Sequence, residues 1–258
     1  MAMRFQKTLI AVPCYNCEKQ IPRLLMELFD QSLMSHGERP DVFLIDNQSQ
    51  DRTKEVIEKF IKDHPQIFNL RFRQNPTNLG LGGTQKLAFS LAAQEGYSFL
   101  VVLHGDHQAT PRDLPRLLEP FQQDSELAAV LGSRFSHGSK RVGYSMIRTM
   151  GNRGLNLLYT LMTGRWIADL GSGLNVFRVS SFEVEKFGNF SDQFTFNMDL
   201  LLSMVREKKR FQFEPITWTE FDQVSNARNL KVGWAALKTL IRWRGTSDEG
   251  RVCLKDEI

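Results

Sequence analysis

Short apolar runs alternate with amphipathic stretches along the first half of the chain. Lys7-Thr-Leu-Ile-Ala-Val12 is apolar up to Pro13, and Ile21 to Leu33 then sets Leu24, Leu25, Leu28 and Phe29 at helical spacing. That order predicts a strand followed by a helix. The unit recurs as Asp41 to Ile45 before a helix near residues 53–62, for which Ser49 and Asp51 are candidate N-caps. It recurs again as residues 69–73 before 84–94, and as 97–103 before 111–123. Such repeats predict an α/β fold, with a Rossmann-like, mainly parallel sheet and helices on both faces. Ligands of these sheets sit at the carboxyl ends of the strands.

After a further strand at residues 128–132 the rhythm changes. A long helical pattern spans 142–162, a turn follows at Asp169-Leu-Gly-Ser-Gly173, and a short strand runs through Val176 and Phe177. Helical segments near 182–187 and 196–208, a strand at 211–218 and a last helix near 230–243 complete the chain. No Pro/Gly/Ser-rich linker divides it. The expectation is one domain over residues 1–258, with a nucleotide-binding half (1–127) and a smaller C-terminal acceptor lobe (128–258).

Composition narrows the classes. With 41% hydrophobic and 24% charged residues the chain is neither disordered nor fibrous. No apolar run approaches the roughly 18 residues of a membrane span, and the N-terminus shows no signal-peptide pattern. Three cysteines make no disulfide framework, so a reducing cytoplasmic setting is expected. The net charge is only +4, yet no acidic residue lies between Glu126 and Asp169, where Arg134, Lys140, Arg141, Arg148, Arg153 and Arg165 are found. Such a segment attracts phosphates of nucleotides, lipids or nucleic acid, or is a solvated face of one sign. The aromatic platform of RNA-binding sheets is absent from the sequence, so no nucleic-acid partner is expected.

The predicted strand ends carry the chemistry. Pro13-Cys-Tyr-Asn-Cys-Glu18 follows the first, and Asp46-Asn-Gln-Ser-Gln-Asp-Arg-Thr53 the second. A carboxylate ending a buried strand needs a partner, and Asp46 suits the N–H edge of uracil or guanine, or else caps the next helix. The third strand leads into Asn75-Pro-Thr-Asn-Leu-Gly-Leu-Gly-Gly-Thr84. Its glycines let backbone approach a phosphate closely, or mark a plain turn. This is not the dinucleotide fingerprint, since Gln85 stands at the third glycine position. The fourth strand ends at His104-Gly-Asp-His-Gln108, a set of nitrogen and oxygen donors able to hold a divalent cation, with packing histidines as the alternative.

These residues together resemble the family 2 glycosyltransferases of GT-A fold. Residues 10–18 are similar to the family's opening strand and loop, Asp46 to Thr53 to its Asp-Asp-Gly-Ser-x-Asp-x-Thr motif, Asn78-Leu-Gly80 to Asn-x-Gly, and His104-Gly-Asp106 to the Asp-x-Asp metal motif. Gly132-Ser-Arg134, Arg148-x-x-Gly151-Asn152 and Asp169 to Gly173 resemble the branch of polyprenyl (dolichyl) phosphate mannosyltransferase-like enzymes. The resemblance implies an inverting hexosyl transfer from a UDP- or GDP-linked sugar to a polyprenyl phosphate or a glycan hydroxyl, in cell-surface polysaccharide or glycolipid synthesis. It implies that Pro13, Tyr15, Asn16, Glu18, Asp46, Asn78, Gly80 and Gly105 bind the nucleotide sugar. It places Mn²⁺ or Mg²⁺ at Asp106 and Gln108 with His104, and the diphosphate or acceptor at Arg134, Arg148, Ser172 and Arg228. Three positions depart from the pattern. His104 replaces the first metal-motif Asp, Asn47 replaces the second Asp of the opening motif, and Asp222 to Arg228 only approximates the branch's Arg-x-x-Gly-x-Ser-Lys.

Electrostatic stabilisation of the leaving diphosphate falls to Asp106, through the metal, and to Arg134. An ionised lipid phosphate needs no base, whereas a hydroxyl acceptor would take Asp169 or Asp199. Asp199 alternatively offsets a helix dipole. The last helix sets Val232, Ala236, Leu237, Leu240 and Ile241 against Lys231, Trp234, Lys238 and Arg242, so its apolar side packs on the sheet or its basic side rests on anionic lipid. Met146, Ile147, Met150, Leu157, Leu158, Leu161 and Met162 are expected in the core, with a guide for a prenyl chain as the other reading. The protein is thus expected to be soluble or peripheral at the membrane, and a homodimer is allowed. Competing readings are a redox role for Cys14-x-x-Cys17 and a non-catalytic nucleotide-sugar-binding module.

Overall fold

The computed structural model describes residues 7–30, 40–67, 69–221 and 229–245. Four strands of the first half are β1 (Thr8–Cys14), β2 (Asp41–Asp46), β3 (Leu70–Gln74) and β4 (Phe99–Leu103). Between them lie helices α1 (Ile21–Leu28), α2 (Thr53–Asp63) and α3 (Gly80–Gln94), followed by α4 (Leu114–Leu118) and α5 (Pro120–Gln123). The second half adds β5 (Leu127–Ser133), β6 (Lys140–Val142), α6 (Met146–Thr163), β7 (Leu174–Arg178), α7 (Phe196–Arg206), β8 (Arg210–Pro215), β9 (Thr217–Thr219) and α8 (Asn229–Gly245). Seven strands form one sheet in the order β3-β2-β1-β4-β7-β5-β8, parallel except that β7 runs antiparallel to β4 and β5. β6 and β9 pair separately.

Alternation along the strands sends side chains to two cores. Ile10 and Val12 of β1 meet Leu24, Leu25 and Leu28 of α1, Ile57 of α2 and Leu117 of α4 on one face. Leu9 and Ala11 meet Ala88 and Phe89 of α3, Tyr159 of α6, Leu200 of α7 and Leu240 of α8 on the other. The Tyr159 hydroxyl donates to the Ala236 carbonyl at 2.8 Å and ties α6 to α8. The N-cap of α2 is Arg52, without a side-chain cap bond, so neither expected cap stands there: Asp51, one residue earlier, accepts the Thr53 N–H on Oδ1 at 3.0 Å, and Ser49 donates to Asp46.

Several expected elements move. The 142–162 helix begins at Met146, because residues 140–142 are drawn into β6 by pairing with β9. The 211–218 strand divides at Ile216, whose N–H returns to the Ser133 carbonyl. The 182–187 segment is 3₁₀ rather than α. Most of the apolar face of α6 is not core: Met146, Ile147, Met150, Leu157 and Leu161 are exposed, and only Asn156 and Tyr159 are buried on that helix. α8 follows the expected division in part: Ala236 and Leu240 are buried and Lys231, Trp234, Lys238 and Arg242 face outward, but Ile241, expected on the apolar side, is 59% exposed. Among the described residues no helix is long and apolar enough to cross a membrane.

The glycines before residue 84 lie inside α3, not ahead of it. A Cβ at Gly82 would sit 2.4 Å from the Ser191 carbonyl oxygen and 2.7 Å from Phe196 Cβ, and one at Gly80 2.2 Å from the Asp192 oxygen. Close packing of α3 on the 191–196 segment therefore demands them. Gly82→Ala should lower stability by about 1–3 kcal/mol, because overpacking against fixed backbone exceeds the roughly 1 kcal/mol helix gain of alanine. Gly151→Ala and Gly154→Ala in α6, where among the described residues nothing lies within 4 Å, should be neutral or stabilising. Urea midpoints compare them, and a stable Gly82→Ala would contradict this packing.

Candidate active site

The loop after β1 is laced to the loop after β2. Asn16, in the left-handed region at φ 50°, donates its N–H to Ser49 Oγ at 2.9 Å and accepts the Gln50 N–H on Oδ1 at 2.7 Å. The Cys17 N–H reaches Thr53 Oγ1 at 2.8 Å, and Glu18 accepts the Arg52 N–H at 3.0 Å. Asn16 and Glu18 thus hold the two loops in register, and between them Tyr15 presents a ring 39% exposed at the rim.

Asp46 does not offer an open edge to a nucleobase. It is fully buried; Oδ1 accepts from the Ser49 N–H at 3.2 Å and from the Ser49 hydroxyl, and Oδ2 accepts Gln74 Nε2 at 2.8 Å. A buried carboxylate requires such donors, and these come from its own turn and from β3. Asn47 explains its departure from the family pattern. Its Nδ2 donates to Asn78 Oδ1 at 2.9 Å while its Oδ1 accepts Asn75 Nδ2 at 3.1 Å and the Leu79 N–H at 2.8 Å. A carboxylate could not donate the first of these bonds. Asn78 also accepts the Gly80 N–H at 2.8 Å, so these two positions shape the start of α3.

At the end of β4 the turn 104–108 is pressed onto β1. Gly105 donates to the Pro13 carbonyl at 2.9 Å, and a Cβ there would lie 2.9 Å from Cys14 Sγ, so the glycine serves this approach. Cys14 and Cys17 are buried free thiols, and the hydrogen bond with the Cys17 thiol, together with burial, pushes Cys14 well above its usual range, which opposes a redox role. His107 turns away to Glu27 of α1 at 2.6 Å. Asp106 Oδ1 accepts the Gln108 N–H at 3.2 Å, and Gln108 Nε2 donates to Glu220 Oε1 at 3.3 Å.

Burial pushes the Asp106 carboxyl above the usual carboxylate range, with His104 pulling the other way. Burial pushes His104 below the usual imidazole value, opposed by Asp106. Among the described residues Nε2 of His104 is buried without a hydrogen-bond partner, which costs about 1–3 kcal/mol. A divalent cation fits this set: a neutral imidazole nitrogen, a carboxylate and the Gln108 amide oxygen. Among the described residues no three His, Cys, Asp or Glu side chains converge on one point, so the protein would supply part of a shell and a bound diphosphate the rest.

Glu220 is the residue that sequence reasoning missed. It follows β9, accepts Arg148 Nη1 at 2.8 Å and Trp218 Nε1 at 3.2 Å, and links α6 to the 104–108 turn through Gln108. No motif signals it; only the β6–β9 pairing brings it there.

The expected acceptor residues are placed differently. Arg134 Nε and Nη2 donate to the two oxygens of Asp169 at 2.8 and 2.7 Å, and the Arg134 main-chain N–H adds a third bond at 2.9 Å. Phe135, Tyr144 and Trp218 rings surround the guanidinium at 5.3, 5.6 and 5.0 Å. With side-chain exposures of 8% and 1%, Arg134 is not presented to phosphate and Asp169 is not poised as a base. Ser172 is likewise buried, its hydroxyl on the Leu174 carbonyl at 3.1 Å. Asp199 in the first turn of α7 accepts the Ser191 N–H at 2.9 Å and Arg242 Nη2 at 3.0 Å, so it anchors α8 instead of serving as a base. Arg228 lies outside the described residues.

An open α/β sheet with a carboxylate-bearing turn at its central strand end, beside two interlocked strand-end loops, is the arrangement expected of a GT-A fold. Residues 9–185 match the family model of glycosyl transferase family 2, and the chain belongs to that family. It is similar to an undecaprenyl-phosphate mannosyltransferase of Micrococcus luteus, 26% identical over 238 residues that cover 92% of this chain and 93% of that one. It is also similar to a UDP-N-acetylglucosamine–dolichyl-phosphate N-acetylglucosaminyltransferase of Methanococcus voltae, at 24% identity over 68% of this chain and 70% of that one. Glucosyl-3-phosphoglycerate synthase from Mycobacterium tuberculosis, solved with Mn²⁺, UDP and phosphoglyceric acid, shares the fold with TM-score 0.66 at 13% identity, over 95% of this chain and 81% of that one. The chain is therefore a glycosyltransferase, and polyprenyl-phosphate enzymes are among its relatives.

Proposed function

We propose that the protein transfers a hexose from a nucleoside diphosphate sugar to a polyprenyl phosphate at a membrane surface, with inversion at the anomeric carbon. The observation that carries this reading is the outer face of α6. Met146, Ile147 and Met150 are 80%, 83% and 71% exposed, Leu157, Leu161 and Trp166 extend the apolar surface, and the flanking segment holds Lys140, Arg141, Arg153 and Arg165 without one acidic residue. An apolar stripe edged by basic residues suits the interface of an anionic bilayer. The stripe begins beside Arg148, which Glu220 ties to the 104–108 turn. A lipid held on α6 would thereby bring its phosphate toward the donor.

In the reaction a phosphate oxygen of the acceptor forms the bond to the anomeric carbon while the bond from that carbon to the diphosphate breaks, and the nucleoside diphosphate leaves. The acceptor is already ionised, so no base is required, which agrees with Asp169 and Asp199 being committed elsewhere. Asp106, Gln108 and His104 would hold Mn²⁺ or Mg²⁺, which when bound neutralises charge on the leaving diphosphate. The loops carrying Tyr15 and Asn78 receive the nucleoside, and Arg148 the acceptor phosphate.

Two measurements test this. Label from GDP-mannose, UDP-glucose or UDP-N-acetylglucosamine should move into the organic phase when undecaprenyl phosphate is supplied in vesicles; label reaching only water-soluble glycans would overturn the acceptor. Replacing Ile147 and Met150 together by Glu should weaken sedimentation with phosphatidylglycerol vesicles by at least about tenfold, since two large apolar side chains lose their burial in lipid. Unchanged sedimentation would remove α6 from the membrane contact.

A further inference from the structure

We infer that His104 supplies a nitrogen ligand to the donor-site cation and thereby makes the site prefer Mn²⁺ and Co²⁺ over Mg²⁺. The inference rests on the proposed placement of a cation at the 104–108 turn and adds which cation that turn selects.

The histidine is held in one orientation by its surroundings. Its main-chain N–H donates to the Gly173 carbonyl at 2.8 Å, and a Cβ on Gly173 would lie 3.1 Å from both Cγ and Nδ1 of the ring. The Nδ1 edge therefore lies close against the backbone of Gly173, where an added Cβ would require the ring to give by a few tenths of an ångström. The opposite edge carries Nε2, buried and without a partner among the described residues. A ring gripped along one edge with an unsatisfied nitrogen on the other is prepared for a ligand. Two residues on stands Asp106, whose Oδ1 is oriented by the Gln108 N–H. Gln108 spends its amide N–H on Glu220, which leaves its carbonyl oxygen as the atom available for coordination.

The protein donors are then one imidazole nitrogen, one carboxylate and one amide oxygen. Two consequences follow for selectivity. A single carboxylate offers one negative charge where an Asp-x-Asp pair would offer two, which weakens a purely electrostatic hold on Mg²⁺. Magnesium also takes oxygen ligands almost exclusively and gives up its water reluctantly, whereas affinity for imidazole rises from Mn²⁺ to Co²⁺ along the first transition row.

The test uses the full chain with Mn²⁺ and either UDP or GDP. Pulsed electron paramagnetic resonance on protein grown with ¹⁵N-histidine, compared with natural abundance, should show a directly bonded imidazole nitrogen on Mn²⁺. The coupling should vanish in His104→Asp, with circular dichroism melting to show that the variant folds. Calorimetry should find Mn²⁺ at least about tenfold tighter than Mg²⁺ in the parent protein, and His104→Asp should close that gap by strengthening Mg²⁺. Mn²⁺ bound together with nucleotide but showing no histidine coupling would overturn the role of His104 and leave the donor site standing. Nucleotide binding that persists in chelator and weakens in His104→Ala would make Nε2–H a donor to phosphate, and so overturn the inference as well. Failure of Mn²⁺ to bind with either nucleotide would overturn both the inference and the cation placement on which it rests.

Discussion

Replacing Asp106 by Ala should slow sugar transfer about a thousandfold, roughly 4 kcal/mol of barrier, while the protein remains folded. Asp106 is the only carboxylate in the 104–108 turn, which follows the central strand β4 (Phe99–Leu103), where the leaving diphosphate of a GT-A donor is expected to lie. Without it the turn offers one neutral ring and one amide, and no charge to retain a cation as the donor departs. Initial rates at saturating Mn²⁺ and donor sugar, alongside thermal melting in chelator, make the comparison. A rate within a few fold of the parent would show that this turn does not serve the leaving group. Gln108→Ala should fall between the two, since it removes a neutral ligand and also the link to Glu220.

The second large effect is on stability. Asp169→Ala should destabilise the fold by about 3–5 kcal/mol, because it strands the Arg134 guanidinium in the interior without its carboxylate. Both partners are nearly sealed from water, and the pair joins the end of β5 to the 169–173 turn that grips His104. Replacing both at once, Arg134→Met with Asp169→Leu, should recover much of the loss, as apolar substitutes for a buried ion pair often do. Urea denaturation measures all three variants. The opposite pattern, an unchanged midpoint for Asp169→Asn with a collapse of kcat, would return Asp169 to the role of base that its place in the sequence suggested.

The sheet was legible because its information is local. β1, β2 and β4 are runs of five to seven buried residues closed by a polar turn, and the helix after β1 carries its apolar stripe within eight residues. The strand-end motifs were legible for the same reason, since each is a few consecutive residues. What failed depends on distant contacts. The α3 glycines read locally as either a phosphate approach or a plain turn, because the segment that crowds them, residues 191–196, lies more than a hundred positions away. Periodicity shows that one side of α6 is apolar but does not say what covers it, so the sequence leaves core and a guide for a prenyl chain both open. By sequence Arg134 suits a phosphate and Asp169 a base for a hydroxyl acceptor, but the 2.7 Å pair shows that they satisfy one another. Glu220 had no local signal at all: it reaches Gln108 and Arg148 only through the pairing of two three-residue strands.

The most direct test of the donor site is calorimetric titration of the protein with UDP and with GDP, each in Mn²⁺ and in chelator, repeated on Asp106→Ala. One nucleotide should bind in Mn²⁺, and that binding should be lost both in chelator and in the variant, which would also name the base of the donor. Binding that is indifferent to metal and to Asp106, or no binding of either nucleotide, would contradict a cation-assisted donor site at the end of β4.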